Sequence, residues 1–78
     1  MADDVFEQIR SCTVDVLQVD PDAVTLDAVF TEDLGATSLT VVEVVMAIEE
    51  TFGLDVPEDD VEAVRTVRDA CDMVRRLS

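Results

Sequence analysis

The chain has 78 residues, of which 49% are hydrophobic and 31% charged, so residues 1–78 are predicted to form one small folded domain rather than a disordered acidic tail. Nineteen acidic and five basic residues give a net charge of −14, which disfavours binding to nucleic acid and to anionic membrane surfaces. Because histidine and lysine are both missing, the usual general bases and the commonest nitrogen ligand of metals are missing too. We therefore expect no self-contained catalytic site, no metal site and no enzyme.

The first residues carry no positive charge, and no apolar run approaches the ~18 residues that a membrane span needs. We therefore expect a cytoplasmic protein that is not inserted in a membrane.

Cys12 and Cys71 form no CxxC motif and fall within helical patterns, which favours small packing residues. The sequence leaves a disulfide between them open.

A first helix is predicted from Asp4, whose side chain can cap it, with Glu7 three residues later in the second position of a capping box. The segment Asp20-Pro21-Asp22 ends this helix. Its predicted buried stripe follows helical spacing and consists of Phe6, Ile9, Thr13 and Val16 or Leu17.

A long connection without clear periodicity is predicted from Asp20 to Thr37. Connections of this length in small domains are usually functional or are held by their own apolar residues. Gly35 gives the chain the freedom to turn just before the next helix. The candidate apolar anchors are Val24, Leu26, Val29, Phe30 and Leu34.

The second predicted helix runs from Ser38 to Phe52 and carries two apolar stripes. One stripe is the natural core face, and it consists of Val41, Val44, Val45, Ile48 and Phe52. The other stripe is bordered by three glutamates, and the set comprises Leu39, Val42 and Met46 with Glu43, Glu49 and Glu50. Either neighbouring elements cover this second stripe or it is an exposed docking patch with a charged rim, and the three glutamates favour exposure.

Gly53 is predicted to end the second helix, and the acidic residues after Pro57 favour a short helical turn. The last helix is predicted to start at Thr66, with Asp69 in capping-box relation to it. The fold class is therefore all-α, an antiparallel bundle of three longer helices and one short one. Its predicted core consists of Phe6, Ile9, Phe30, Val44, Ile48, Phe52 and Val74.

The segment Asp33-Leu34-Gly35-Ala36-Thr37-Ser38-Leu39, with Val42-Glu43, Met46 to Glu50 and Phe52-Gly53 after it, closely resembles the phosphopantetheine attachment site of acyl carrier proteins. The order of predicted elements resembles that family over essentially the whole chain. The resemblance implies that Ser38 receives a 4'-phosphopantetheine arm from coenzyme A. Position alone favours a simpler interpretation, in which Ser38 or Thr37 is only the cap of the second helix.

The resemblance also implies a monomeric carrier of acyl thioesters for fatty acid or polyketide synthesis, with an apolar channel between its helices. Its partners would be a phosphopantetheinyl transferase and ketosynthase, acyltransferase or acyl ligase enzymes with basic docking patches. The docking surface would be Leu39, Val42 and Met46 with Glu43, Glu49 and Glu50. Thr37 stands where the family usually has aspartate, which favours a specialised pathway. Thr40 stands where a second acid is common, which lowers the negative charge around the site.

Three alternatives remain at the level of sequence. The acids Asp20, Asp22 and Asp27 suggest a calcium-binding loop, but an EF-hand starting at Asp20 lacks its ligand near Val24, its glycine at position 25 and its terminal glutamate at position 31. A bare interaction module would use the Val42 and Met46 stripe with Ser38 only as a cap. A peptidyl or aminoacyl carrier of nonribosomal synthesis is the nearest alternative within the carrier class.

Overall fold

The structure, a computed structural model, describes residues 4–78 and is built almost entirely from helices. Three longer helices are α1 (Asp4–Leu17), α3 (Ser38–Phe52) and α5 (Val67–Leu77). Helix α1 packs against both α3 and α5, and α4 (Glu58–Ala63) is the predicted short helix. The all-α bundle predicted from the sequence is therefore confirmed. Within the described residues, no helix combines the length and the apolar character that a membrane crossing requires.

The core lies where α1, α3 and α5 meet, and its largest fully buried side chains include Phe30, Ile9, Ile48 and Met73. Five of the seven predicted core residues are buried, namely Ile9, Phe30, Val44, Ile48 and Val74. The other two, Phe6 and Phe52, are only half-buried and pack against the edge of the core. Phe6 is at the edge because its ring lies 4.6 Å beneath the guanidinium of Arg10, which needs access to water.

The long connection between α1 and α3 is more regular than the sequence predicted. It contains a 3-10 turn (Pro21–Ala23) and the four-residue helix α2 (Phe30–Asp33). The Asp20 carboxylate accepts the Asp22 N–H at 2.8 Å at the start of the 3-10 turn. Elements this short span barely one helical turn, so they leave no readable hydrophobic period in the sequence.

Backbone hydrogen bonds fix this connection to the start of α5. The Phe30 N–H donates to the Arg65 carbonyl at 3.0 Å, and the Val67 N–H donates to the Ala28 carbonyl at 3.0 Å. Of the predicted apolar anchors, Val24, Phe30 and Leu34 are buried, whereas Leu26 and Val29 are half-buried. The connection is thus held both by its side chains and by its main chain.

The predicted capping of α5 is confirmed, because the Thr66 hydroxyl accepts the Asp69 N–H and the Asp69 carboxylate accepts the Thr66 N–H, each at 3.1 Å. At the start of α1, the Glu7 carboxylate pairs with Arg10 at 3.3 Å. The position that precedes Asp4 lies outside the described residues, so the capping box predicted for this helix end stays a prediction.

Both cysteines are free and buried, so the disulfide that the sequence left open is not formed. The Cys12 sulfur lies 3.4 Å from the Thr51 hydroxyl, which links α1 to α3. Burial raises the pKa of the Cys71 thiol, because the interior disfavours the thiolate. Both residues act as small packing side chains, as predicted.

Candidate attachment site at the start of α3

Ser38 is the first residue of α3 and lies exposed on the surface. The chain reaches it through a turn at Gly35, whose φ of 70° lies in the left-handed region that glycine adopts most easily. Leu34 and Ala36 on either side are buried, and the Ala36 N–H donates to the Phe30 carbonyl at 2.9 Å. The turn is therefore anchored on both sides and presents Ser38 from a fixed position.

The cap of α3 is Thr37, and it forms a complete capping box with Thr40. The Thr37 hydroxyl accepts the Thr40 N–H at 3.2 Å, and the Thr40 hydroxyl accepts the Thr37 N–H at 2.8 Å. Ser38 is thus not the cap, and its side chain makes no hydrogen bond to the residues that the structure describes. The Ser38 hydroxyl is free for chemistry, because Thr37 supplies the cap that serine often provides at a helix start.

The electrostatic surroundings of Ser38 suit an attached phosphate. The first turn of α3 contains no acidic residue, and within the described chain the N–H groups of Ser38 and Leu39 have no acceptor. Free N–H groups and the positive end of a helix dipole favour an anion by ~0.3–1 kcal/mol. Asp33, the nearest preceding acid, accepts the Val29 N–H at 2.8 Å, so its carboxylate is engaged at α2.

A largely apolar groove of about 290 Å³ opens beside Ser38. Its walls come from α2, α3 and α4 and from the residue after α4. Such a volume is about twice that of a ~150 Å³ apolar cavity able to hold benzene. The lining residues are Thr31, Ser38, Val41, Val42, Val61, Glu62 and Val64. An apolar chain attached to Ser38 can therefore find cover next to its point of attachment.

The second apolar stripe of α3 is exposed, as the charged border suggested. Leu39 is 68% exposed, Val42 40% and Met46 56%, and they are the large hydrophobic side chains that the described surface leaves open. The carboxylates of Glu43 and Glu50 are exposed beside them. Three apolar side chains on successive turns, flanked by acids, are the arrangement of an interface core with a charged rim.

Glu49 differs from the other two glutamates of the predicted docking surface. It is half-buried, and its carboxylate accepts the Val56 N–H at 2.7 Å. No pattern in the sequence signals this contact, because the acceptor and donor lie seven residues apart across a helix end. Sequence reasoning also missed the Thr37–Thr40 box, since such boxes usually have Glu or Gln as their second member.

The calcium-binding alternative finds no support in this geometry. Among the described residues there is no group of three or more side chains placed to hold a metal ion. The Asp27 carboxylate pairs with Arg68 at 3.0 Å, and Asp20 caps the 3-10 turn. Two of the three acids that suggested a calcium site therefore already bind other groups of this chain.

Comparison with known proteins agrees with the resemblance seen in the sequence. The family model described as "Phosphopantetheine attachment site" matches residues 7–74. Relatives that carry the name "Acyl carrier protein" include the following three. The relative from Campylobacter hominis is 44% identical over 96% of this chain and 95% of its own length. The one from Zymomonas mobilis is 49% identical over 86% of each chain, and the one from a Sulfurovum species is 45% identical over 94% and 97%.

Proposed function

Because the chain belongs to the acyl carrier proteins, the family with a phosphopantetheine attachment site, we propose that Ser38 holds a 4'-phosphopantetheine arm and that the protein carries acyl groups for fatty acid or polyketide synthesis. The arm supplies a thiol, to which acyl intermediates are bound as thioesters. The observation that carries the proposal is the exposed Ser38 hydroxyl. It is not used as the helix cap, because Thr37 caps α3. The protein is a carrier and not a catalyst.

Attachment requires a base from outside this chain. An unassisted serine hydroxyl is a poor nucleophile, and the sequence contains no histidine or lysine that could take its proton. The phosphopantetheinyl transferase therefore supplies the base and any metal ion, while coenzyme A donates the phosphopantetheine and loses its nucleotide part. This chain contributes the hydroxyl, the free N–H groups of the first turn and a rigid turn that presents them.

We assign partner docking to Leu39, Val42 and Met46, with Glu43 and Glu50 on their rim. Glu49, predicted for the same surface, stays outside this assignment because its carboxylate accepts the Val56 N–H. The exposed thioether of Met46 adapts to varied apolar partners, and the carboxylates favour arginine and lysine on the partner. The partners we propose are the transferase and ketosynthase, acyltransferase or acyl ligase enzymes with basic patches. A net charge of −14 speeds the approach of such patches.

The pathway we favour is a specialised one. Thr37 and Thr40 replace acids that are usual in the family, so the recognition surface beside Ser38 is less negative. The groove next to Ser38 is the place we assign to part of the acyl chain. Location in the cytoplasm and the monomeric state stay predictions, as does the assignment of residues 1–78 to one domain.

The test is the intact mass of the protein after incubation with coenzyme A, magnesium and a broad-specificity transferase. We expect the parent to gain one phosphopantetheine and Ser38→Ala to gain none. Ser38→Ala should stay folded, because the Ser38 side chain makes no hydrogen bond within the described chain. Thr37→Ala is the matched control, since it removes an adjacent hydroxyl but should still be modified.

No mass gain with several transferases would favour the bare interaction module, and partner binding that survives Ser38→Ala would support it. Transfer of an aminoacyl group rather than an acyl group to the arm would favour the peptidyl carrier. The names of the relatives favour the acyl-carrying branch, because the proteins from Campylobacter hominis, Zymomonas mobilis and Sulfurovum are all called acyl carrier proteins.

A further inference from the structure

The chain reverses direction after α3, and Glu49 accepts the hydrogen bonds that hold this reversal. Its main-chain carbonyl accepts the N–H groups of Gly53 at 2.8 Å and Leu54 at 3.1 Å. Its side-chain carboxylate accepts the N–H of Val56 at 2.7 Å. Gly53, with a φ of 66°, turns the chain so that these three donors converge on one residue. One glutamate therefore binds most of the segment that leads from α3 to α4.

Helix α4 has few contacts of its own to hold it in place. None of its six residues is buried, and its cap, Pro57, makes no side-chain hydrogen bond. A helix of this length is not stable by itself in water, so its position depends on the segments at its two ends. At the far end Val64 is buried. At the near end Val56 is fixed by packing of its side chain against the core and by the Glu49 carboxylate, which accepts its N–H.

Helix α4 forms part of the wall of the groove beside Ser38. Val61 and Glu62 of α4 form one wall of that groove, opposite Val41 and Val42 of α3. We propose that Glu49 is a positioning residue, which holds α4 over the groove through Val56 and so controls how well an attached acyl chain is shielded. The link to cargo rests on the proposed function, whereas the control of α4 does not.

A second charged contact links α4 to α5. Arg76 of α5 pairs with Asp60 at 2.5 Å. The Arg76 side chain is 58% exposed and Asp60 26%, so water and salt weaken this pair. The Glu49 contact is half-buried and accepts from a backbone donor that cannot move independently of the chain. The hydrogen bond between Glu49 and Val56 is therefore the stronger of the two contacts that hold α4.

This assignment separates Glu49 from its neighbours Glu43 and Glu50. Those two carboxylates are exposed and form no ion pair or hydrogen bond within the described residues. They are available to a basic partner, whereas the Glu49 carboxylate already has a donor. Glu50→Ala is thus the matched control for Glu49→Ala, because it removes a carboxylate from the adjacent position without touching Val56.

The first experiment measures amide hydrogen exchange in the Ser38→Ala background, in which no arm can be attached. We expect Glu49→Ala to accelerate exchange of residues 54–63 about tenfold or more, as for the loss of a hydrogen bond to a charged group. Exchange in α1 and α5 should stay unchanged, as should all exchange in Glu50→Ala. Glu49→Gln should restore part of the protection, because its amide oxygen can still accept from Val56.

Equal acceleration in all helices would overturn the proposal, because Glu49 would then support the whole fold rather than α4. Unchanged exchange in residues 54–63 would overturn it as well. Neither result depends on modification of Ser38, so the proposal about α4 and the proposed carrier function can fail separately.

The second experiment uses the loaded protein and tests the consequence for cargo. We expect Glu49→Ala to speed the reaction of an octanoyl thioester with hydroxylamine, while an acetyl thioester, which has no apolar chain to bury, reacts as in the parent. Glu49→Gln should leave KM for a partner enzyme unchanged, whereas Glu50→Gln should raise it. A rise in KM for Glu49→Gln equal to that for Glu50→Gln would assign Glu49 to docking instead.

Discussion

Thr37 shows how one side chain determines what its neighbour can do. By capping α3 it removes from Ser38 the structural function that serine commonly has at a helix start. The usual aspartate of the family can accept the same N–H of residue 40. Threonine therefore preserves the cap while it removes a negative charge next to the proposed attachment point.

We expect Thr37→Ala to lower the free energy of unfolding by about 1 kcal/mol, the usual cost of losing a helix cap. Thr37→Asp should retain the stability of the parent or exceed it by ~0.3–1 kcal/mol, because a carboxylate also favours the positive helix end. Urea unfolding followed by circular dichroism measures both values. Ser38→Ala is the control and should change stability by less than ~0.5 kcal/mol.

An unchanged urea midpoint for Thr37→Ala would mean that the box with Thr40 does not stabilise the helix in solution. A loss of stability in Ser38→Ala equal to that in Thr37→Ala would restore Ser38 as the cap. The two variants therefore separate the structural function from the chemical one at adjacent residues.

At the scale of elements, α3 presents different faces to different neighbours. Val44 and Ile48 are fully buried against the core, while Leu39 and Met46 remain more than half exposed. Val42 has a place in both environments, since it lines the groove and also belongs to the docking surface. A partner that contacts Val42 therefore touches a wall of the groove at the same time.

We expect Glu43→Lys to lower kcat/KM with a partner enzyme by roughly tenfold at low salt, because it reverses a charge that steers a basic patch. The loss should shrink as salt is raised, since screening weakens steering. Steady-state kinetics over a range of sodium chloride concentrations measure both effects.

Asp15→Lys is the matched control for Glu43→Lys, because it reverses an exposed carboxylate on α1, outside the docking surface. It should leave kcat/KM close to that of the parent. Equal losses in both variants would mean that total charge, and not the surface on α3, guides the partner.

The sequence predicted long elements better than short ones. Helices α1, α3 and α5 span several turns, so their apolar spacing was readable, and Ser38 and Phe52 were predicted correctly as the ends of α3. Helix α2 and the 3-10 turn were not predicted, because each is too short to show a hydrophobic period. The Ser38 site was readable from its motif, whereas the Glu49 contact with Val56 depends on how the chain reverses in space.

On the scale of the whole molecule, the dominant feature is uncompensated negative charge. Within residues 4–78, four of the five arginines pair with acids, namely Arg10, Arg68, Arg75 and Arg76. Nineteen acids against five bases still leave a net charge of −14 on a body with a radius of gyration of 11.0 Å. Repulsion among these carboxylates opposes the compact state.

We therefore expect added sodium chloride to stabilise the protein, with a rise in Tm of about 4–8 °C for each ~1 kcal/mol of repulsion that is screened. At ~1 M salt the screening length falls to ~3 Å, which suppresses repulsion between separated acids. The exposed ion pairs weaken too, but such pairs contribute only ~0–1 kcal/mol each. Differential scanning calorimetry measures the shift, with an equal osmolality of glycerol as the control.

A Tm that falls with salt, or that rises equally with glycerol, would contradict this expectation. In the first case the four ion pairs would outweigh the repulsion. In the second case the stabilisation would come from general exclusion of the solute rather than from screening.

The free carboxylates of Glu43 and Glu50 also determine how the docking surface can be mapped chemically. Carbodiimide activates carboxylates for amide formation with lysine, and this chain has no lysine side chain of its own. Activated acids on α3 therefore meet no lysine within the same molecule or on a second copy of it. A zero-length crosslink from either glutamate to lysine must consequently join the chain to a different protein, and the bonded residue pair identifies the contact directly.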